Sequence, residues 1–460
     1  MSIIAAMFNR SAYSYADAFK AADKTTEAMK VAIQDWFDLY YQKAATKAED
    51  PSQEIAYTIV RKLTKTVFSE YNADSKDEYA RTVLESLDAT ARNKAMQMAL
   101  IGGECLLKPV PNTKEKKWEW SIVDRSRLLV FGRDSIGRLT DIGTVEHATD
   151  DRAYYTLLER RTVDANGYLT IKNSLYRSEY QGAIGSPVAL NAHPKFADLA
   201  PVYTFPKPVN SCGMVSVRTP IANCVDGSDD AVSVYAAAVG LIHNINRNEA
   251  QLNTEFRNGE SRVFVSSDLM TKGDDGKRRF TDTLFVGLND DTESVGVTVF
   301  SPTLRDESFL RRKQEYLRNV ESVIGLKRGL LSEVEAQERT ATEITSSEGD
   351  YNLTVIDFQI MWDTAAKEAV RLCGVLGQLY KMPGAHEVAE DAVTIDWGNG
   401  VLYDEEKTWA DYLDMVARGL IKPEIALGWR FNMPAETESD LQKIREKYMP
   451  VLQSMVEGDA

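Results

Sequence analysis

Between Asp226 and Lys381 the sequence lays out two long amphipathic helices separated by a strand-rich insertion, then a short charged loop, then a third long helix. A long helix with one apolar stripe needs a partner along its whole length, so this order predicts paired rods. Ala231, Tyr235, Ala238, Ile242, Ile245, Leu252 and Phe256 keep an alternating four-three spacing that is interrupted at Glu249. Asp226-Gly227-Ser228-Asp229-Asp230 reads as the start, with Ser228 as N-cap and the aspartates against the positive end of the dipole. From there about 29 residues make a rod of roughly 43 Å. The segment from Arg305 to Ile324 supplies the partner stripe, Leu310, Leu317, Val320 and Ile324, with Lys313 in the intervening place. On periodicity alone, a helical hairpin in a globular core and a stem lining a ring fit equally well.

Three strand candidates lie between the rods, Ser261 to Ser267, Asp282 to Leu288 and Val295 to Ser301. The turn from Lys272 to Arg279 is polar and bears glycine, as an exposed tip requires, and presents Lys272, Lys277, Arg278 and Arg279. After the second rod, Gly325 and Gly329 permit bending, and the stretch from Lys327 to Arg339 mixes Lys327, Arg328 and Arg339 with Glu333, Glu335 and Glu338. A helix then extends to about Lys381.

Ahead of the rods, helices are predicted at 25–49, 51–70 and about 76–100, the last stopped by Ile101-Gly102-Gly103. The pattern then turns to strands at Trp118 to Ile122, Leu128 to Phe131 and Tyr154 to Thr162, with Asn166-Gly167 as a hairpin signal. Pro194, Pro201, Pro206, Pro208 and Pro220 make 191–225 an extended connection. The fold class is α+β.

A chain of 460 residues exceeds the usual single core, so more than one packing unit is expected. Neither a membrane-spanning apolar run nor a signal-peptide pattern is present, which predicts a soluble protein that stays in the cytosol where it is made. Cys105, Cys212, Cys224 and Cys373 match no zinc spacing and read as buried or idle thiols. A net charge of −15 argues against tight wrapping of DNA, since that affinity comes from phosphate neutralisation. The charge is uneven: residues 257–328 hold 13 Lys/Arg against 12 Asp/Glu, whereas 381–460 hold 8 against 16. A weak, mixed lining suits a conduit better than a binder, although plain solvated faces have the same composition.

Signals for catalysis are missing. His147, His193, His243 and His386 form no HExxH pair, and neither a phosphate-binding loop nor a G-x-S-x-G elbow occurs. Asp226 to Asp230 and Asp290-Asp291 lack calcium-loop spacing. No metal, cofactor or catalytic residue is assigned.

The order of elements resembles the portal proteins of tailed bacteriophages. Gly325 after the second rod, the charged loop and Thr340-Ala341-Thr342-Glu343-Ile344 resemble that family's stem end, tunnel loop and small-residue motif. Ala99-Leu100-Ile101-Gly102-Gly103 and the run from Tyr154 to Glu159 resemble the start and sheet of its wing, and Leu199-Ala200-Pro201 the approach to the first stem helix. Ile395-Asp396-Trp397, Asp404 and the stretch from Gly419 to Glu424 resemble its strand and crown pattern, with Lys422-Pro423 departing from the usual serine.

The resemblance implies a multi-part portal fold. Its parts are a wing at 1–225, a first stem helix at 226–260, a clip at 261–304, a second stem helix at 305–325, a tunnel loop at 326–340, a long helix returning to the wing at 341–395 and a helical crown at 396–460. Tyr235, Ile242, Ile245, Leu252, Leu310 and Leu317 would pack the stem. Lys327, Arg328, Glu333, Glu335, Glu338 and Arg339 would face the channel, and Lys272, Lys277, Arg278 and Arg279 would dock a partner. The implied assembly is a ring of about twelve copies whose heterologous interfaces close on themselves. It would sit at one capsid vertex of the virion, after assembly in the host cytoplasm. Implied partners are double-stranded DNA, the terminase large subunit, a head-tail connector, and the major capsid and scaffold proteins, with no membrane. The alternatives are a shell or scaffold protein without a DNA channel, and a cytosolic hydrolase.

Overall fold

The computed structural model describes residues 15–42, 51–112, 114–150, 153–259, 262–265, 270–272, 278–280, 297–300, 303–333, 341–398, 405–431, 433–435 and 437–449. They belong to two compact units: Met1–Val67 with Ala73–Ile395, and Phe68–Asn72 with Asp396–Ala460. Helices and antiparallel sheets are mixed, as the α+β reading requires.

The larger unit is built around α1 (Glu27–Tyr40), α2 (Ile55–Val67), α3 (Glu78–Thr90) and α4 (Arg92–Gly102), with a short strand β1 (Asn72–Ser75) ahead of α3. Helix α1 starts at Thr26, whose side chain accepts from Met29 N–H, and ends at Tyr40, well before residue 49. The single helix predicted at 76–100 is two. Ala91, at φ −122°, breaks it between α3, which buries one stripe, and α4, which buries Ala95, Met96 and every residue from Met98 to Gly102. One straight rod cannot offer both a half-exposed and a fully enclosed surface to the same core. Gly103 follows in the left-handed region, where a Cβ would meet the Ala231 carbonyl oxygen at 2.4 Å, so only glycine lets the chain pass.

Two antiparallel sheets complete this unit, the first of them packed on α3 and α4. In the first, β2 (Glu104–Asn112) lies between β10 (Val215–Arg218) and β3 (Lys117–Asp124). The second runs β4 (Leu128–Arg133), β5 (Leu139–Asp150), β6 (Ala153–Val163), β7 (Leu169–Ser178), β8 (Ser186–Val188), with β9 (Val202–Thr204) also on β7. The predicted hairpin is present between β6 and β7. Its turn is longer than a two-residue loop: Gly167 N–H donates to Asp164 C=O at 3.0 Å, and Asp164 Oδ1 accepts from Asn166 and Tyr168 N–H, each at 2.9 Å. Gly167 supplies the positive φ of +82°. At the sheet interior Glu159 is buried between Lys108 and Arg161, both at 2.7 Å. Burial alone would raise its pKa, but these two cations reverse that and bring it to about 2.

The paired rods are α5 (Val239–Asn258) and α6 (Asp306–Ile324). Between them β11 (Arg262–Val265) pairs with β14 (Val297–Phe300), and β12 (Met270–Lys272) with β13 (Arg278–Phe280), all antiparallel. The predicted strand Asp282 to Leu288 lies outside the described residues. Helix α7 (Ala341–Leu379) has 39 residues, about 58 Å of rod. It is followed by β15 (Val393–Asp396), the partner of β1. Among the described residues no helix is long and apolar enough to cross a membrane.

Helix α5 starts eleven residues later than Ser228. The cap signal is overridden because its residues are claimed by tertiary partners. Thr26 Oγ1 donates to Asp226 at 2.5 Å, and Asp230 receives Arg133 at 2.8 Å and Arg125 at 3.4 Å. Val234 N–H and Ser233 Oγ both donate to Leu100 C=O. The rod is therefore 20 residues, about 30 Å, and not roughly 43 Å.

The smaller unit holds α8 (Glu405–Ala417), α9 (Pro423–Arg430) and α10 (Glu438–Tyr448). Pro423 sits in the first turn of α9, where its missing N–H is harmless. Trp429 stacks on Tyr412 and Trp409, Phe431 stacks on Tyr448 at 4.3 Å, and Arg445 reaches buried Glu424 at 2.6 Å. Phe68, Tyr71 and Trp397 form a second aromatic group.

Candidate functional site: the paired helices and their loop

Helices α5 and α6 pack along an apolar seam in which Ile242, Ile245, Leu252, Leu317 and Val320 are buried. The two charged interruptions of the stripes meet each other: Lys313 Nζ lies 2.9 Å from Glu249 Oε2. Lys313 also donates to Gln53 Oε1 at 2.8 Å, and Gln53 N–H donates to Asn246 Oδ1 at 3.0 Å, so the segment entering α2 is fastened to both rods. Farther along, Arg305 grips Glu255 through two hydrogen bonds, at 3.0 and 2.8 Å, which hold the carboxyl below its usual pKa and the guanidinium above. Asn248 Nδ2 donates to Phe309 C=O at 3.1 Å. On α5's other flank His243 faces Asp35 of α1 at 3.2 Å.

Two residues assigned to the stem behave otherwise. Tyr235 stands ahead of α5 and is wholly buried, its hydroxyl donating to Trp36 C=O at 2.8 Å, so it serves the α1 core and no helix stripe. Leu310 is 50 % exposed on α6. Val323 on α6 and Leu353 and Ile360 on α7 are likewise exposed, at 50, 62 and 59 %.

The loop after α6 is tied down at its start. Gly325 ends the helix at φ +75°, where a Cβ would meet Thr354 Oγ1 at 2.7 Å. Glu321 is 1 % exposed, and its carboxylate accepts from Leu331 N–H at 2.5 Å, Ser332 N–H at 2.8 Å and Ser332 Oγ at 2.7 Å. Lys62 Nζ donates to Leu330 C=O, and Glu333 N–H to Gln314 Oε1 at 2.9 Å. Residues 326–333 are thus folded back on α6 and α2. The side chains of Lys327, Arg328 and Glu333 are exposed. Glu335, Glu338 and Arg339 lie outside the described residues. So does Lys277, and for Lys272, Arg278 and Arg279 the described fact is the β12–β13 register, which sets Lys272 opposite Arg278.

Sequence reading missed Glu321, Gln53, Asn246 and Asn248. For Glu321 the signal was available: it falls four residues after Leu317, on the buried stripe, where an acid needs a dedicated set of donors. Nothing in the sequence marks Gln53.

Among the described residues no cluster of His, Cys, Asp and Glu could hold a metal ion. A cavity of about 200 Å³ beside α6 and α7 is lined mainly by apolar groups such as Pro220, Ala237, Val323 and Phe358. Cys105, Cys212 and Cys373 are buried and Cys224 is exposed, all four as free thiols. Burial pushes the Cys212 thiol up to about 12.

No protein-family model and no curated protein matches the sequence. Among solved structures, the neck of an empty GTA particle computed with C6 symmetry is similar at a TM-score of 0.47 and 12 % identity, covering 86 % of this chain and 94 % of that one. A chain from the virion of a native gene transfer agent particle gives 0.46 and 12 %, with the same shares covered. The neck of a native GTA particle computed with C12 symmetry gives 0.42 and 11 %, again over 86 and 94 %. With identity and TM-score this low, the functional reading rests on the chain's own residues.

Proposed function

We propose that this chain is a portal subunit: a non-enzymatic structural protein that closes into a ring at one capsid vertex and passes double-stranded DNA. The observation that carries the reading is the rod pair itself. Two helices locked by seam and ion pairs bracket a small strand-rich insertion, and a 39-residue helix follows a loop fastened to the second rod. That succession supports the stem, clip, loop and long-helix order read from the sequence.

Exposed apolar side chains support oligomerisation. Leu310, Val323, Leu353 and Ile360 lie on the rods and the long helix, and such positions are covered when subunits pack side by side. In this reading the β11–β14 insertion is the clip that meets the packaging motor and later a connector. Residues 15–225 form the wing toward the shell, and the α8–α10 unit forms the crown. Lys327 and Arg328 supply weak phosphate contacts, and Glu333, Glu335 and Glu338 oppose tight capture.

Light scattering on the purified full chain tests the assembly. A portal subunit gives one defined closed oligomer; a monomer, or polymers of unlimited size, would rule the reading out. Charge reversal at Lys277, Arg278 and Arg279 should leave that oligomer intact while weakening motor association, because rim charges act mainly on encounter. Normal motor association by the reversed ring would remove these residues from docking.

A further inference from the structure

An aromatic ladder runs from the end of α1 onto α2. Tyr41 and Tyr40 meet edge to face at 5.0 Å, Tyr57 follows Tyr40 at 5.9 Å, and the Arg61 guanidinium lies 5.9 Å from the Tyr57 ring centre. Tyr41 is 51 % and Tyr57 40 % exposed. Tyrosine with arginine is the composition of interface hot spots, since a rigid ring with a polar tip gives a large contact at small entropic cost. The rings stand at 89° and 49° to one another, so they offer no row of parallel faces on which successive nucleic-acid bases stack. The Tyr41 hydroxyl lies within electrostatic reach of Arg127, in the turn ahead of β4, which places the ladder at the β4 edge of the second sheet.

The far edge of that sheet, held by β9 on β7, is four strand spacings or about 19 Å away. Asn173 N–H donates to Pro201 C=O and Phe205 N–H to Leu169 C=O, each at 2.9 Å, and Tyr203 stands opposite Ile171. By strand alternation, Val202 and Thr204 turn their backbone N–H and C=O away from β7. Val202 and Tyr203 are 57 and 42 % exposed, and Pro201 and Pro206 bound the strand. An edge this short and flanked by proline is protected against pairing with another strand. Its outward carbonyls suit side-chain donors such as tyrosine hydroxyls, and its exposed side chains suit aromatic rings. Because β7 already holds the segment in place, docking costs it little further ordering.

The two patches are complementary and lie on opposite edges of one sheet, as a heterologous contact that closes a ring requires. Their area decides between a foreign partner and a second copy. Three rings, at about 150–250 Å² each even when fully buried, fall short of the ~800 Å² per partner of a stable two-body complex. A ring repeats the contact at every subunit and adds the exposed apolar residues of α6 and α7.

Resting on the portal reading, we infer that β9 of one copy docks on the Tyr41, Tyr40 and Tyr57 ladder of the next copy around the ring. The test uses the full chain carrying Cys224→Ser, the other three cysteines being buried, with Tyr57→Cys, Val202→Cys or both, treated with a short bis-maleimide. Within one copy the two positions stand on opposite edges of the sheet, beyond reach of the reagent. The double variant should give a series of covalent multimers. The two single variants co-expressed should give covalent dimers only, and each alone should stay uncrosslinked. Dimers within one single variant, or no crosslink in a chain that light scattering shows as a defined ring, overturn the docking and leave the portal reading standing. A chain that neither crosslinks nor forms a ring removes both. As a second readout, the Tyr41→Ser, Tyr57→Ser chain should keep its circular dichroism while its ring dissociates at about tenfold higher protein concentration; unchanged dissociation contradicts the inference.

Discussion

Lys313 on α6 sits 2.9 Å from Glu249 on α5, so each apolar stripe is interrupted where the other is, and the two interruptions neutralise each other. Both side chains are about three-quarters or more buried. The pair fixes the register of the rods, since a slip by one turn would leave each charge facing an apolar neighbour.

Replacing either partner alone strands the other. Lys313→Met and Glu249→Leu should each destabilise the chain by about 1–3 kcal/mol, at the low end if water reaches the remaining charge. The double variant should lie nearer the unaltered protein than the sum of the singles. Denaturant unfolding in a double-mutant cycle measures this; additive losses would mean that the two charges do not interact.

The seam makes a sharper demand. Ile242 is 2 % exposed, so Ile242→Asp buries an unpaired carboxylate at about 3–5 kcal/mol and should abolish the assembled form. Leu310→Asp, at a half-exposed position, should leave the subunit folded. Sedimentation with circular dichroism separates the two, and an intact, equally stable Ile242→Asp assembly would refute the seam.

Glu321 is expected to hold the start of the loop. Glu321→Leu removes the acceptor of three donors from Leu331 and Ser332, and so should speed hydrogen exchange at those amides and tryptic cleavage after Lys327 and Arg328. Unchanged exchange would show that Lys62 and Gln314 suffice.

The rods and the hairpin were legible because each depends on local pattern: a stripe of period 3.6, or glycine at a turn. The beginning of α5 was not. Asp226 and Asp230 look like helix-cap residues in sequence, and only the folded chain brings Thr26 and Arg133 to claim them. Ala91 carries no break signal either, since the bend there answers to the enclosure of α4. In the candidate site, Glu249 and Lys313 were visible as interruptions, but their meeting depends on the rods' relative register, which neither stripe states.

A pH effect is expected at the end of α7. His386 Nδ1 donates to Gly384 C=O at 2.8 Å and Nε2 faces Asp77 at 2.7 Å, and these partners raise the imidazole pKa. Asp77, the N-cap of α3, has its pKa lowered by the Ala80 N–H and by His386. The histidine contribution is fully present below the unfolded pKa and fades as pH rises through the folded one. The aspartate contribution is present above its unfolded pKa and fades in acid. From about pH 6 to about pH 8 the unaltered protein should therefore lose a small part of its thermal stability that His386→Gln lacks. Parallel melting curves for the two proteins across that range would contradict the link.

Copies of a portal subunit must enclose a hole. Negative-stain images of the purified full chain answer that directly. End-on views of a closed ring with a central hole wide enough for a DNA duplex are expected; a solid compact particle, a shell or an irregular polymer would contradict the portal proposal.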